Sequence, residues 1–355
     1  MLFFDAHLDL SLNALEYNRD LRLPISELRQ SEAGMTDLRG RGGSTVSFPE
    51  MRKGGVGICV ATIIGGCMKP PLPIVSWSSP EQARAMTHAQ MAWYRAMEAE
   101  GQLRQIRNRE TLDLHLSEWS IGSENGPIGY ILSLEGADSL RHLDDLEEAV
   151  LAHGLRALGP AHFGKGRYAL GHNESGPLPD KGKDLIRKMS ELNVILDVTH
   201  LCDGNFRDAL DIHSGPVWAS HHNSRTLVDN PRQLSDEQIK ILAERNAVIG
   251  LSFDVWMTVP NWNRSESRHE DHDATLETLA NHIDHISQLL GTSRHCGIGS
   301  DLDGGFGVDQ CPSDFDTIAD FAKLKKILGK RGYTSEDLEG ICYSNFLNFL
   351  RRAWA

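Results

Sequence analysis

The sequence predicts an α/β fold, a (β/α)8 TIM barrel with a long loop excursion after its first strand and extra C-terminal helices. Three observations carry that expectation. Short apolar runs recur along the 355 residues, longer amphipathic stretches separate them, and acids and histidines cluster where the apolar runs end. Strands separated by helical crossovers pair in parallel, because parallel neighbours need a long connection. Eight such units point to a closed barrel rather than an open sheet, and a barrel of about 250 residues with insertions fits the length.

The strands are expected at 2–7, 56–64, 128–134, 155–162, 194–200, 216–221, 247–253 and 296–301. Helical patterns fall at 81–100, 143–153, 183–191, 204–212, 236–244 and 275–290. Residues 11–55 are polar and rich in glycine (Gly40, Gly42, Gly43, Gly54, Gly55) and read as the excursion. The very polar stretch 261–273, NWNRSESRHEDHD, reads as an exposed loop after the seventh strand. Helical patterns over 312–355 are expected to pack on the barrel's outside, so that 1–355 forms one domain.

Composition narrows the function. Hydrophobic residues at 40% and charged residues at 24% describe a chain able to bury a core. Acidic residues outnumber basic ones, 49 to 36, and the formal charge of −13 argues against nucleic acid or an anionic membrane as partner. No apolar run approaches the ~20 residues of a membrane span. The start, Met1-Leu2-Phe3-Phe4-Asp5, has no basic n-region and is not expected to be a signal peptide. The location expected is therefore cytoplasmic. Six cysteines without a CxxC pair read as reduced, mostly buried thiols.

The chemistry sits at the strand ends. The first strand ends in Asp5-Ala6-His7-Leu8-Asp9, where residues two apart share a face and aim His7 and Asp9 at one site. The third ends in Ser133-Leu134-Glu135-Gly136, the fifth in Asp197-Val198-Thr199-His200, the sixth in Ser220-His221-His222 and the eighth in Gly299-Ser300-Asp301. A parallel barrel gathers all C-terminal strand ends on one face. Imidazoles and carboxylates converging there suit a pair of divalent metals, zinc above all, with Glu135 as the bridge between them. Each motif alone is weak; the set is specific. His222, next to His221 on a strand, is expected to face away. His282 and His285, spaced i,i+3, read as a solvated helix face. Gly164-Lys165-Gly166 is no phosphate loop, since GxxxxGK[ST] is absent.

These runs, with Met51-Arg52-Lys53-Gly54-Gly55-Val56-Gly57 and Asp301-Leu302-Asp303-Gly304, resemble the membrane (renal) dipeptidase family, peptidase family M19 of the amidohydrolase superfamily. The resemblance extends in order from about residue 3 to 305. It implies two Zn2+ per chain, one held by His7 and Asp9, the other by His200 and His221, with Glu135 bridging. It also implies a substrate-site histidine at His162, ending Arg156-Ala157-Leu158-Gly159-Pro160-Ala161-His162. The same resemblance implies a carboxylate-binding Arg232 in Pro231-Arg232-Gln233-Leu234 and a catalytic Asp301. Gly159-Pro160 and the segment 163–168 depart from the family's pattern and bear on substrate choice.

The activity this implies is hydrolysis of dipeptides by a metal-bridging hydroxide. Asp301 would shuttle the proton, His162 would stabilise the oxyanion and Arg232 would hold the free carboxylate. The rival reading is another binuclear amidohydrolase, acting on N-acyl amino acids, cyclic amides or lactones. A small-molecule dipeptide is the partner expected, and a homodimer is the protein assembly compatible with the sequence.

Overall fold

Strands apolar on both faces build the barrel wall. The computed structural model describes residues 1–68, 74–122 and 126–355. Its barrel strands are Phe3–Leu8, Val56–Ile64, Ile128–Glu135, Ala157–Gly159, Ile195–Asp197, Val217–Trp218, Ile249–Leu251 and Cys296–Ile298. They run parallel in the spatial order seven, eight, one, two, three, four, five, six. A parallel bridge between Ala219 and Ile249 closes the circle. A further strand, Leu103–Gln105, pairs with the start of the third.

Alternate residues divide between two cores. Phe4, Ile58, Val60, Ile131, Ala157, Ile195 and Trp218 fill the interior, while Cys59, Ala61, Leu132, Leu158, Leu196 and Val217 face the helices. The interior is packed solid below, so only the polar positions at the C-terminal strand ends are left to build a site. The final helix, Asn345–Ala353, closes the N-terminal end of the barrel instead of lying along its outside: Phe346 stacks on Phe4 at 4.9 Å, and Phe349 lies 5.5 Å from Trp218.

The fourth to eighth strands are shorter than the apolar runs suggest, and for the fifth, sixth and eighth one reason serves. Asp197 Oδ1 accepts from the backbone of Thr199 (3.0 Å) and Ser220 (3.1 Å), so those N–H groups bond a side chain instead of a neighbouring strand. Asp5 does the same for His7 (3.2 Å) and Ser300 (2.8 Å). The first strand also carries one residue more than the second between Asp5 and Leu8, a bulge that re-aims the residues beyond it.

The excursion is structured. It contains helices Leu10–Leu15, Ile25–Ser31 and Phe48–Gly54, and a buried carboxylate ties it to the barrel. Asp303 is fully buried and accepts from Thr45 N (2.8 Å), Val46 N (3.1 Å), Ser44 Oγ (3.0 Å) and Thr45 Oγ1 (2.7 Å), with Arg19 at 3.5 Å. Removing one partner of a buried, bonded charge costs about 3–5 kcal/mol. Asp303→Ala should therefore lower the thermal midpoint sharply; a midpoint equal to wild type would show that the tie contributes nothing. The segment after the seventh strand includes a short helix, His269–His272, and buries Trp262 against Val255, Val259 and Ala274.

His282 corrects an expectation. Its side chain is buried, not solvated: Nδ1 accepts from Ser224 N at 3.0 Å, and Nε2 reaches Thr258 O at 3.3 Å. The helix Leu276–Leu290 packs that face against the loop after the sixth strand. His285 does lie nearer the surface, bonded to Asp236 at 2.8 Å. The six cysteines are free, and Cys67 alone among them is not fully buried. Among the described residues no helix is long and apolar enough to cross a membrane.

Candidate active site

The chain turns sharply where the candidate residues sit. His200 and Asp301 adopt left-handed backbone conformations, with φ 70° and 60°, just past their strands. Such backbone strain in residues other than glycine collects at functional sites. Asp9 likewise lies beyond the first strand, at the N-terminal boundary of the Leu10–Leu15 helix, with its side chain near His7 rather than on the helix amides.

Residues from six strand ends meet. His7 Nε2 lies 3.8 Å from Asp9 Oδ1, 3.6 Å from Glu135 Oε2 and 3.8 Å from Asp301 Oδ1. Glu135 Oε1 lies 3.0 Å from His200 Nε2 and 3.6 Å from His221 Nε2, which are 3.2 Å from each other. Three donor groups result, each with its ligand atoms within 4.8 Å: His7 with Glu135 and His221, Glu135 with His162 and His200, and His7 with Asp9 and Asp301. Glu135 belongs to two of them, with Oε2 toward His7 and Oε1 toward His200 and His221.

The donor set fits divalent ions. His7 Nε2 is buried with no hydrogen-bond partner. Burial pushes the carboxyls of Asp5 and Asp9 up to about 6 and those of Glu135 and Asp301 well above the usual range, with neighbouring carboxylates adding to the last two. Burial also lowers His7 and His162 to about 3, and His200 and His221 well below their ordinary value. Neutral imidazoles and crowded carboxylates are a mixed N/O donor set of the kind zinc takes.

Hydrogen bonds fix the rings. Ser220 Oγ lies 2.9 Å from His221 Nδ1 and 3.4 Å from His7 Nδ1, so one hydroxyl serves two imidazoles. Thr62 donates to Asp9 Oδ1. The ring of His162 meets that of His200 edge-on at 4.7 Å.

Arg232 is 2% exposed. Its Nη2 donates to His221 O at 3.0 Å, while Nη1 is buried and unpartnered. Burial lowers it to about 10, against the opposing pull of Asp301 and Glu135. The structure thus gathers His7, Asp9, Glu135, His162, His200, His221 and Asp301, and hangs Arg232 from the backbone of one of them.

Other residues of the site carry weaker sequence signals. Asp5 and Asp197 hold the strand ends through backbone amides, and their only sign is an acid two or three residues before each histidine. His222, expected to face away, is 4% exposed and both ring nitrogens lack partners. His172, in an irregular stretch without periodicity, lies against His200.

The family model for membrane dipeptidase (peptidase family M19) matches residues 1–354. An uncharacterized protein in the pqqA 5′ region of Klebsiella pneumoniae is 28% identical over 239 residues, 65% of this chain and 84% of that protein. Dipeptidase tcpJ of Claviceps purpurea is 28% identical over 233 residues, 63% of this chain but only 51% of the relative's length. Two solved structures, each 24% identical with a TM-score of 0.76, cover 100% of this chain and 99% of their own. One is the dipeptidase AC; the other is a Rhodobacter sphaeroides metallopeptidase liganded with a phosphinate mimic of the dipeptide L-Ala-D-Ala. They share this fold.

Proposed function

Because this chain belongs to the membrane dipeptidase family, peptidase family M19, we propose that it is a zinc-dependent dipeptidase, cutting dipeptides that carry a free C-terminal carboxylate. The observation that carries the substrate class is Arg232: a buried guanidinium with a free Nη1, placed next to the candidate metal ligands. A dipeptide presents its carboxylate one residue from the scissile bond, whereas the interior of a longer peptide has none to offer.

His7 and Asp9 would hold one ion, His200 and His221 the other, and Glu135 both. When bound, a pair of zinc ions polarises a carbonyl and acidifies water. The remaining work falls to the chain. Arg232 binds the carboxylate and sets the register of the substrate. His162, kept neutral by burial, donates an N–H toward the oxygen that gains charge. Asp301, whose carboxyl burial holds high, would take a proton from the attacking water and return it to the leaving amine.

Parallel assays of dipeptides of both configurations, N-acyl amino acids, cyclic amides and lactones test the assignment. Dipeptides should give the highest kcat/KM. A higher value for any other class would replace the reading with that amidohydrolase reaction.

A further inference from the structure

His200 would bind metal through Nε2, the atom turned toward Glu135 and His221. A ligating imidazole then carries its proton on Nδ1, and an acceptor for that N–H fixes both tautomer and ring orientation. For His7 and His221 the acceptor is Ser220 Oγ. For His200 the atom within reach is Nδ1 of His172, at 3.4 Å, with ring centroids 5.4 Å apart.

The backbone holds His172 in that place. Gly171 pairs with Leu201, the residue after His200, in an antiparallel bridge, and Cys202 N donates to Leu170 O at 3.0 Å. A Cβ on Gly171 would lie 2.2 Å from His162 O, so the loop crosses the 162–164 backbone more closely than a side chain permits. Phe163 packs on both rings, 5.1 Å from His172 and 5.5 Å from His200. His172 is 3% exposed, and its Nε2 has no partner, so no competing bond turns the ring away.

We infer that His172 is a positioning residue for the metal site, its unprotonated Nδ1 accepting the Nδ1–H of His200 and aiming Nε2 of that ring at Glu135 and His221. The inference rests on the proposed reading of His200 as a ligand.

The test measures divalent-ion affinity of the full-length protein by chelator competition, with the visible spectrum of the Co2+-loaded form as a second readout. His172→Phe and His172→Leu, of different shapes and both without an acceptor, should lose 10–100-fold in affinity for one of the two ions and shift the Co2+ bands. His172→Gln, whose amide oxygen can accept the same hydrogen, should stay within about 3-fold of wild type, well inside that loss. Wild-type affinity and spectrum in the Phe and Leu variants would overturn the inference. So would an equal loss in all three, because shape and not the hydrogen bond would then be what matters. A wild-type protein that binds no divalent ion is a different result, and it would overturn the metal-site reading itself.

Discussion

Asp301→Asn should lower kcat by about 10²–10⁴-fold, the usual contribution of a positioned acid–base group, while the protein keeps its metal. The amide preserves size and hydrogen bonding but cannot take up a proton. The structure sharpens what the alternative outcome means. Asp301 Oδ1 is 3.8 Å from His7 Nε2, and Asp301 shares a donor group with His7 and Asp9. A variant that loses an ion along with activity would therefore make Asp301 a ligand of the His7 side. Unchanged kcat would remove it from the mechanism. Saturation kinetics and metal analysis on one preparation separate the three results.

Arg232→Ala should reduce kcat/KM by roughly 30- to several-thousand-fold. Truncating one partner of a buried, bonded charge pair costs about 2–5 kcal/mol, and each decade corresponds to ~1.4 kcal/mol. Arg232 Nη2 is already tied to His221 O, so the free Nη1 and the remaining Nη2 hydrogen would form the fork that meets a carboxylate. Lysine should rescue only in part, since it restores charge without the planar fork. A dipeptide amide should be a poor substrate for wild type, and the alanine variant should lose that discrimination. Equal rates for acid and amide in wild type, or discrimination that survives the substitution, would show that Arg232 does not clamp the carboxylate.

The barrel is legible in the sequence because the inward and outward faces of its strands are both apolar and because crossover helices force parallel pairing. The candidate ligands are legible for the same reason: a parallel barrel brings residues as far apart in sequence as His7 and Asp301 to one face. What escapes is fixed by side-chain hydrogen bonds across the fold. The ends of the fifth and sixth strands depend on the carboxylate of Asp197, and no periodicity reports that. The excursion after the first strand reads as a loop because it is tied down by Asp303, more than 250 residues further along the chain. His282 shows the limit of a helical pattern, which defines a face but not what covers it. His172 lies in a glycine-containing stretch whose path is set by contacts with His162 and Leu201 and has no local signature.

Whether these strand ends form a binuclear metal site that hydrolyses dipeptides is tested most directly by titrating zinc into metal-stripped protein, with bound metal and dipeptide hydrolysis followed together. The stripped protein should show no turnover. Activity should then rise with added zinc to a plateau at about two ions per chain. Full activity in exhaustively metal-free protein would contradict a metal-dependent site.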